Sequence, residues 1–274
     1  MKRLRQAGGN ATSSDVGKGD EADDDAHDDA YGEAGDGQAD KRMPARGLTG
    51  LIGGDLELRA KASRVPPVEH RFVLAPFRKD GDDALTRAFV QHRPLHIEIG
   101  FGRPHYLVDL AKRDPNGHVL GFEIKRDWVR AAAGKAEREG IENLRVIEGD
   151  ARPHLERLFE PGTVDGIHVL FPDPWWKKKH HKRRVFTPEF TALLARLLAP
   201  EGDLITKTDV PAYVDQMIDE ALAAGLELVG QGSEDPALAA LPSSHREKKC
   251  LELGVPFHML RFRRPPHREG NSAS

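Results

Sequence analysis

A single cysteine, Cys250, stands in 274 residues. That excludes an intrachain disulfide and a zinc site built from cysteines. No apolar run approaches the ~18 residues of a membrane span, and the N-terminus carries no apolar stretch of the signal-peptide kind. These absences lead us to expect a soluble, cytoplasmic protein with no membrane partner. Aromatic residues are scarce at 6%, and the net charge is only -3. With no large excess of one sign over the whole chain, any basic surface has to be local.

The charge is unevenly placed. Residues 1–47 hold 7 Lys/Arg against 11 Asp/Glu, a net of -4, which leaves the remainder at +1. The stretch from Asp20 to Asp40 is acidic, rich in Gly and Ala, and nearly free of large apolar side chains. Such a segment cannot bury enough surface to offset its ordering entropy. We expect 1–47 to be a disordered acidic tail, either simply solvated or competing with nucleic acid for a basic surface nearby. Residues 48–90 form an N-terminal extension, with a possible strand in RFVLAPF (71–77) and a short helix in DALTRAFV (83–90). We expect the folded domain to span 91–265 and 266–274 to be a second disordered end.

From His92 the pattern is regular. LHIEIGF (95–101), HVLGFEI (118–124), LRVIEGD (144–150), VDGIHVLF (164–171) and GDLITKT (202–208) are short apolar runs bounded by glycine or polar residues. That is the pattern of buried parallel strands. Helical spacing lies between them: Pro104–Arg113, Asp127–Glu139, a helix after Asp150, Pro188–Leu198 and Val210–Ala224. Two late strands, 226–232 and 255–262, have no long helix between them, so one of the pair is expected to run antiparallel. Alternation of this kind predicts a doubly wound, mostly parallel α/β sheet of Rossmann type.

Ligands of such sheets sit beyond the carboxyl ends of the strands. The first strand of the domain ends in Glu98-Ile99-Gly100-Phe101-Gly102. Gly100 and Gly102 permit a tight turn and close approach to a ligand, or merely a tight strand–helix connection. A dinucleotide fingerprint would need a third glycine at 105, where His105 stands, so NAD is disfavoured. Glu98, Glu123 and Asp150 end three successive strands. Each alone could be a cap or a solvated strand end. Together they suit S-adenosylmethionine: Glu123 for ribose hydroxyls, Asp150 for an adenine amino group or as a helix cap, Glu98 for a cationic centre.

The richest segment is LFPDPWWKKKHHKRR (170–184). Pro172 and Pro174 stiffen a turn around Asp173. Trp175 and Trp176 offer stacking faces. Lys177, Lys178, Lys179, Lys182, Arg183 and Arg184 then form a local cationic run, read as a phosphate-binding patch rather than a solvated face or a localisation signal. A rigid carboxylate beside stacking surfaces suits guanine, whose N1–H and N2–H₂ one carboxylate can accept together. His180 and His181 read as RNA-facing; with no cysteine and no acidic residue at ligand spacing, no metal site is expected. Asp209 ends the fifth strand just before Pro211, the position of a helix N-cap that could also face a substrate.

FPDPWWKKKHHKRR resembles the signature of the bacterial tRNA (guanine-N7-)-methyltransferases. EIGFG, FEIKRDWV, the GDA at 149–151 and TKTDVPAYV (206–214) are similar to that family in order and spacing. The resemblance covers roughly 95–262 and implies a class I methyltransferase fold. It implies S-adenosylmethionine as cofactor and tRNA as partner, with a guanine of the variable loop methylated at N7. It implies cofactor contacts at Glu98, Gly100, Gly102, Glu123, Asp150 and Asp173, with Asp173 catalytic. It further implies substrate contacts at Lys177 and Asp209, and, through a Thr-x-x-Glu-x-Arg element, at Ser244 and Glu247. The chain departs from the family pattern at Pro104 (usually Gly), Ser244 (Thr) and Lys249 (Arg). Other classes consistent with the same residues are an idle RNA-binding module, a methyltransferase acting on another base or on protein, and a metal-dependent nuclease.

Overall fold

The computed structural model describes residues 71–77, 83–175, 180 and 183–266. The expected tails and most of the N-terminal extension lie outside these residues. The elements run β1 (Val73–Leu74), α1 (Asp83–Val90), β2 (Leu95–Ile99), α2 (His105–Arg113), β3 (His118–Glu123), α3 (Arg126–Arg138), β4 (Leu144–Glu148) and α4 (Ala151–Leu158). Then follow β5 (Val164–Leu170), α5 (Pro188–Leu197), β6 (Leu198–Thr208), α6 (Pro211–Ala223), β7 (Glu227–Gln231), α7 (Pro236–Ala239), α8 (His245–Leu253) and β8 (His258–Arg263).

The strands form one sheet in the order β1-β4-β3-β2-β5-β6-β8-β7. All pairs are parallel except those of β8, which is antiparallel to both β6 and β7. The order turns back between β2 and β5, and that crevice is where open sheets of this kind bind ligands. Side chains of β3 alternate between two layers. Val119 packs with Leu144 and Val146 under Leu107 of α2 and Val129 of α3. Leu120 and Phe122 pack with Ile97 and Ile147 against Leu155 of α4, Leu194 of α5 and Met217 of α6. Burying both faces of the sheet is what produces the continuous apolar runs in the sequence.

Two departures from the expected elements have local causes. β6 starts at Leu198, not at Gly202: Val164 pairs Leu198, the register then slips, and Glu201 adopts φ 62° in the irregular stretch. Pro200 stops helix α5 and falls where the ladder is already interrupted. α8 was not expected at all. It is opened by a reciprocal cap between Ser244 and Glu247 and closed by Gly254 at φ 66°.

β2 and β5 are locked together at two points, the amino end and midway. The Asp165 carboxylate accepts from Leu95 N (2.7 Å) and from two nitrogens of Arg93 (2.6 Å each). Farther along, His96 Nδ1 lies 3.1 Å from His168 Nε2, and His168 Nδ1 lies 2.8 Å from the Tyr106 hydroxyl. Tyr106 donating to His168, and His168 to His96, satisfies both bonds with neutral rings. Gly166 makes room, since a Cβ there would lie 2.3 Å from His96 Nδ1.

Burial pushes the pKa of His96, His118, His154 and His168 below the ordinary value. Such a histidine stays neutral when folded while the unfolded chain takes up a proton. Its contribution to stability is full above pH ~6.5 and is lost below it, by at most about 1.4 kcal/mol per pH unit for each group. Glu98 and Glu220, raised by burial, have the opposite slope, two groups against six once His105 and His245, also lowered by burial, are added. The melting temperature should therefore fall between about pH 7.5 and about pH 5.5. His168→Asn, measured over the same range, should show a shallower fall; an identical slope would contradict the assignment.

Candidate active site

The parallel register decides which residues meet. Glu98 lies opposite Gly121 of β3 and His168 of β5, and Glu123 lies opposite Glu148 of β4. β2, β3, β4, β5 and β6 therefore all end on one edge. The loops carrying Gly100–Gly102, Asp150, Asp173 and Asp209 leave from this single rim.

On one side of the crevice stand three carboxylates in different environments. Glu98 is 2% exposed and its Oε2 has no partner among the described residues. Burial, with the negative charge of Glu123 beside it, pushes its pKa well above the carboxylate range. Glu123 is held by backbone: Oε2 accepts from Gly102 N and Oε1 from Lys125 N, both at 2.8 Å. Each oxygen keeps a lone pair free for a further donor. Gly100 and Gly102 adopt φ +69° and +51°, and a Cβ on either would meet no other atom within 4 Å. The loop thus faces open space, in a conformation that favours glycine. Asp150 caps α4, accepting from Arg152 N at 3.0 Å, and remains 53% exposed. Both sequence readings of Asp150 thus survive, since a half-exposed cap can still accept from a ligand.

On the other side, β5 runs out at Leu170 into Phe171-Pro172-Asp173-Pro174-Trp175. Phe171 and Trp175 have φ 52° and 44°, left-handed conformations that bulky residues adopt only when their surroundings impose them. Phe171 N donates to Lys207 O at 2.7 Å, and Asp173 between them is exposed. Trp175 packs edge-on against His180, with ring centroids 5.7 Å apart, and the Arg183 guanidinium lies 5.0 Å over its ring. Trp176, Lys177, Lys178, Lys179, His181 and Lys182 lie outside the described residues. Arg184 differs from the sequence reading. It turns inward, donating from Nε to Pro174 O at 2.6 Å, because the turn presents carbonyls that its prolines leave without local donors.

Asp209 is not a helix cap. Val210 occupies that position and its N–H donates to Thr208 Oγ1 at 3.1 Å. Asp209 Oδ2 instead accepts from Arg246 Nε of α8 at 2.9 Å. Ser244 and Glu247 open that helix: Glu247 N donates to Ser244 Oγ at 3.1 Å and Ser244 N to Glu247 Oε2 at 3.2 Å. The same Oε2 accepts from Lys207 Nζ at 2.7 Å, and Lys207 is only 1% exposed. The cap and the buried ion pair tie α8 to the end of β6. Lys207 and Arg246 were missed in the sequence. Ser-x-x-Glu followed by Gly254 was the available signal, a capping box before a helix stop. Glu247→Ala should leave the Lys207 ammonium buried and unpaired, a cost of about 3–5 kcal/mol. A melting temperature within a degree or so of the parent would contradict this placement.

Comparison with known proteins agrees with the architecture. A family model described as "Putative methyltransferase" matches residues 92–260. The tRNA (guanine-N(7)-)-methyltransferase of Paracoccus denitrificans is 35% identical over 216 residues, covering 78% of this chain and 88% of the relative. That of Streptomyces coelicolor is 37% identical over 188 residues, 68% of this chain and 69% of the relative. That of Myxococcus xanthus is 36% identical over 173 residues, 63% and 84% respectively. Among solved structures, the 16S rRNA methyltransferase KamB superposes with a TM-score of 0.52, covering 71% of this chain and 99% of its own at 17% identity, a likeness of fold alone. No helix among the described residues is long and apolar enough to cross a membrane. On these matches, the chain belongs to the family of the tRNA (guanine-N(7)-)-methyltransferases.

Proposed function

We propose that the chain transfers a methyl group from S-adenosylmethionine to N7 of a guanine in the variable loop of tRNA, acting in the cytoplasm. The observation that carries this is Asp173, exposed on a proline-stiffened turn, at the same rim as three donor-side carboxylates.

The donor-side residues fit the methyl donor. Glu98 has a buried oxygen without a partner, and a cationic group beside it would both satisfy and ionise it. Glu123 and Asp150 keep acceptor capacity for ribose hydroxyls and an adenine amino group. Gly100 and Gly102 leave the loop open to close approach. When bound, S-adenosylmethionine supplies an activated methyl group on a positively charged sulfur.

The chain's own part is positioning and electrostatics. Guanine N7 carries an in-plane lone pair and no proton, so no general base is required. Asp173 accepts from N1–H and N2–H₂ and so orients the base. As the ring becomes cationic, the same carboxylate stabilises the developing charge. Trp175 offers a stacking face, and Lys177 with its cationic neighbours holds backbone phosphates. Asp209, Ser244 and Glu247 line the α8 side of the substrate's approach.

Asp173→Ala should lower kcat by about 100-fold, read as N7-methylguanosine formed in tRNA, with donor affinity by calorimetry changed less than about threefold. A parental rate would remove Asp173 from the reaction. Transfer of label to protein, or to nothing, would favour the other classes. Replacing Lys177, Lys178 and Lys179 by alanine should raise KM for tRNA. It should also flatten the slope of log affinity against log salt by roughly 0.7–0.9 per lost phosphate contact. An unchanged slope would take these lysines off the RNA.

A further inference from the structure

Two arginines, Arg184 and Arg152, stand between the donor side and the base side of the rim. Arg184 donates from Nε to Pro174 O (2.6 Å) and from Nη2 to Trp175 O (3.4 Å), and Nη1 bonds Gln216 Oε1 of α6. Gln216 is itself fixed, donating from Nε2 to Phe186 O at 2.8 Å. Arg152, in the first turn of α4, donates from Nη2 to Arg184 O (2.9 Å) and Arg183 O (3.4 Å). Its Nη1 reaches Asp150 Oδ2 at 3.1 Å, and its guanidinium lies 5.0 Å over the Phe190 ring. A continuous path thus runs from the α4 cap, through two guanidinium groups, to the carbonyls just after Asp173.

The turn needs such a support. Pro172 and Pro174 have no N–H to donate, so the segment cannot brace itself with backbone bonds at those positions. Phe171 and Trp175 hold left-handed conformations that relax unless over-determined from outside. Arg184 brings several donors in a planar fork to carbonyls on one side and an amide on the other, which a lysine ammonium cannot reproduce.

We propose that Arg184, seated by Arg152, is a positioning residue for methyl transfer: it fixes the turn that presents Asp173 and ties that turn to the donor side of the rim. The role of the turn in methyl transfer rests on the function proposed above. The bracing itself does not.

The test combines hydrogen–deuterium exchange with steady-state kinetics on the full chain, using Arg184→Ala, Arg184→Lys and Arg152→Ala. In both Arg184 variants the amides of Phe171, Asp173 and Trp175 should exchange about tenfold faster or more, while β2 and β3 keep their protection. kcat should fall about tenfold or more, with KM for tRNA and donor affinity within about threefold of the parent. Arg184→Lys should not rescue. Arg152→Ala, at a partly exposed position, should show the same pattern more weakly, and it carries the test if Arg184→Ala does not fold. Unchanged exchange overturns the brace. Faster exchange with unchanged kcat overturns the positioning role. A raised KM with unchanged kcat would make Arg184 a phosphate contact instead. If the unsubstituted chain methylates no tRNA, the proposed function fails, and the exchange result alone decides whether Arg184 holds the turn.

Discussion

The molecule depends on the parallel alignment of β5 beside β2. Strands joined by helical crossovers deliver all their carboxyl ends to one edge. The point where the order turns back leaves a crevice there. Asp165 anchors the pair at the amino end through Leu95 and Arg93, and the His96–His168–Tyr106 chain holds it midway. Without that alignment Glu98 and Asp173, 75 residues apart in sequence, would have no reason to share a rim.

Along that rim, carboxylates stand in different surroundings. Glu98 is buried with an unmet oxygen. Glu123 is clasped by two backbone N–H groups. Asp150 caps a helix and stays accessible. Asp173 is left exposed on a turn flanked by two left-handed residues, Phe171 and Trp175. At the end of β6, the α8 capping-box residue Glu247 also takes the charge of buried Lys207. A buried pair of this kind is weak evidence for net stability but fixes one arrangement, because either charge alone would be costly there.

Much of this was legible in the residues. Buried parallel strands write themselves as short apolar runs, so β2 to β5 and helices α2 and α3 were placed to within about two residues, while α4 was expected without bounds. An antiparallel strand was expected from a gap without a long helix; the gap in fact holds α7 and α8, and β8 is antiparallel all the same. The shared edge of Glu98, Glu123 and Asp150 was legible because strand ends in a parallel sheet line up. What could not be read depended on partners distant in sequence. Whether Arg184 faces phosphate or folds inward is decided by carbonyls ten residues back and by Gln216 on another helix. The histidine chain needs the gap at Gly166, which no local pattern announces. α8 is hidden for a different reason: its capping box is local, but Ser244 and Glu247 also match a substrate-contact element, which masks the helix start.

The central claim is that this one rim brings a methyl donor to N7 of a guanine held by its opposite edge. The most direct measurement uses a tRNA whose variable-loop guanine is replaced by 7-deazaguanine, which keeps N1–H and N2–H₂ but has carbon where N7 stood. Methyl incorporation is followed by nucleoside mass spectrometry, and binding is measured in parallel. The account predicts N7-methylguanosine in the ordinary tRNA, undiminished binding of the 7-deaza form, and no methyl transfer to it. Methylation that persists at full rate on the 7-deaza tRNA would contradict it.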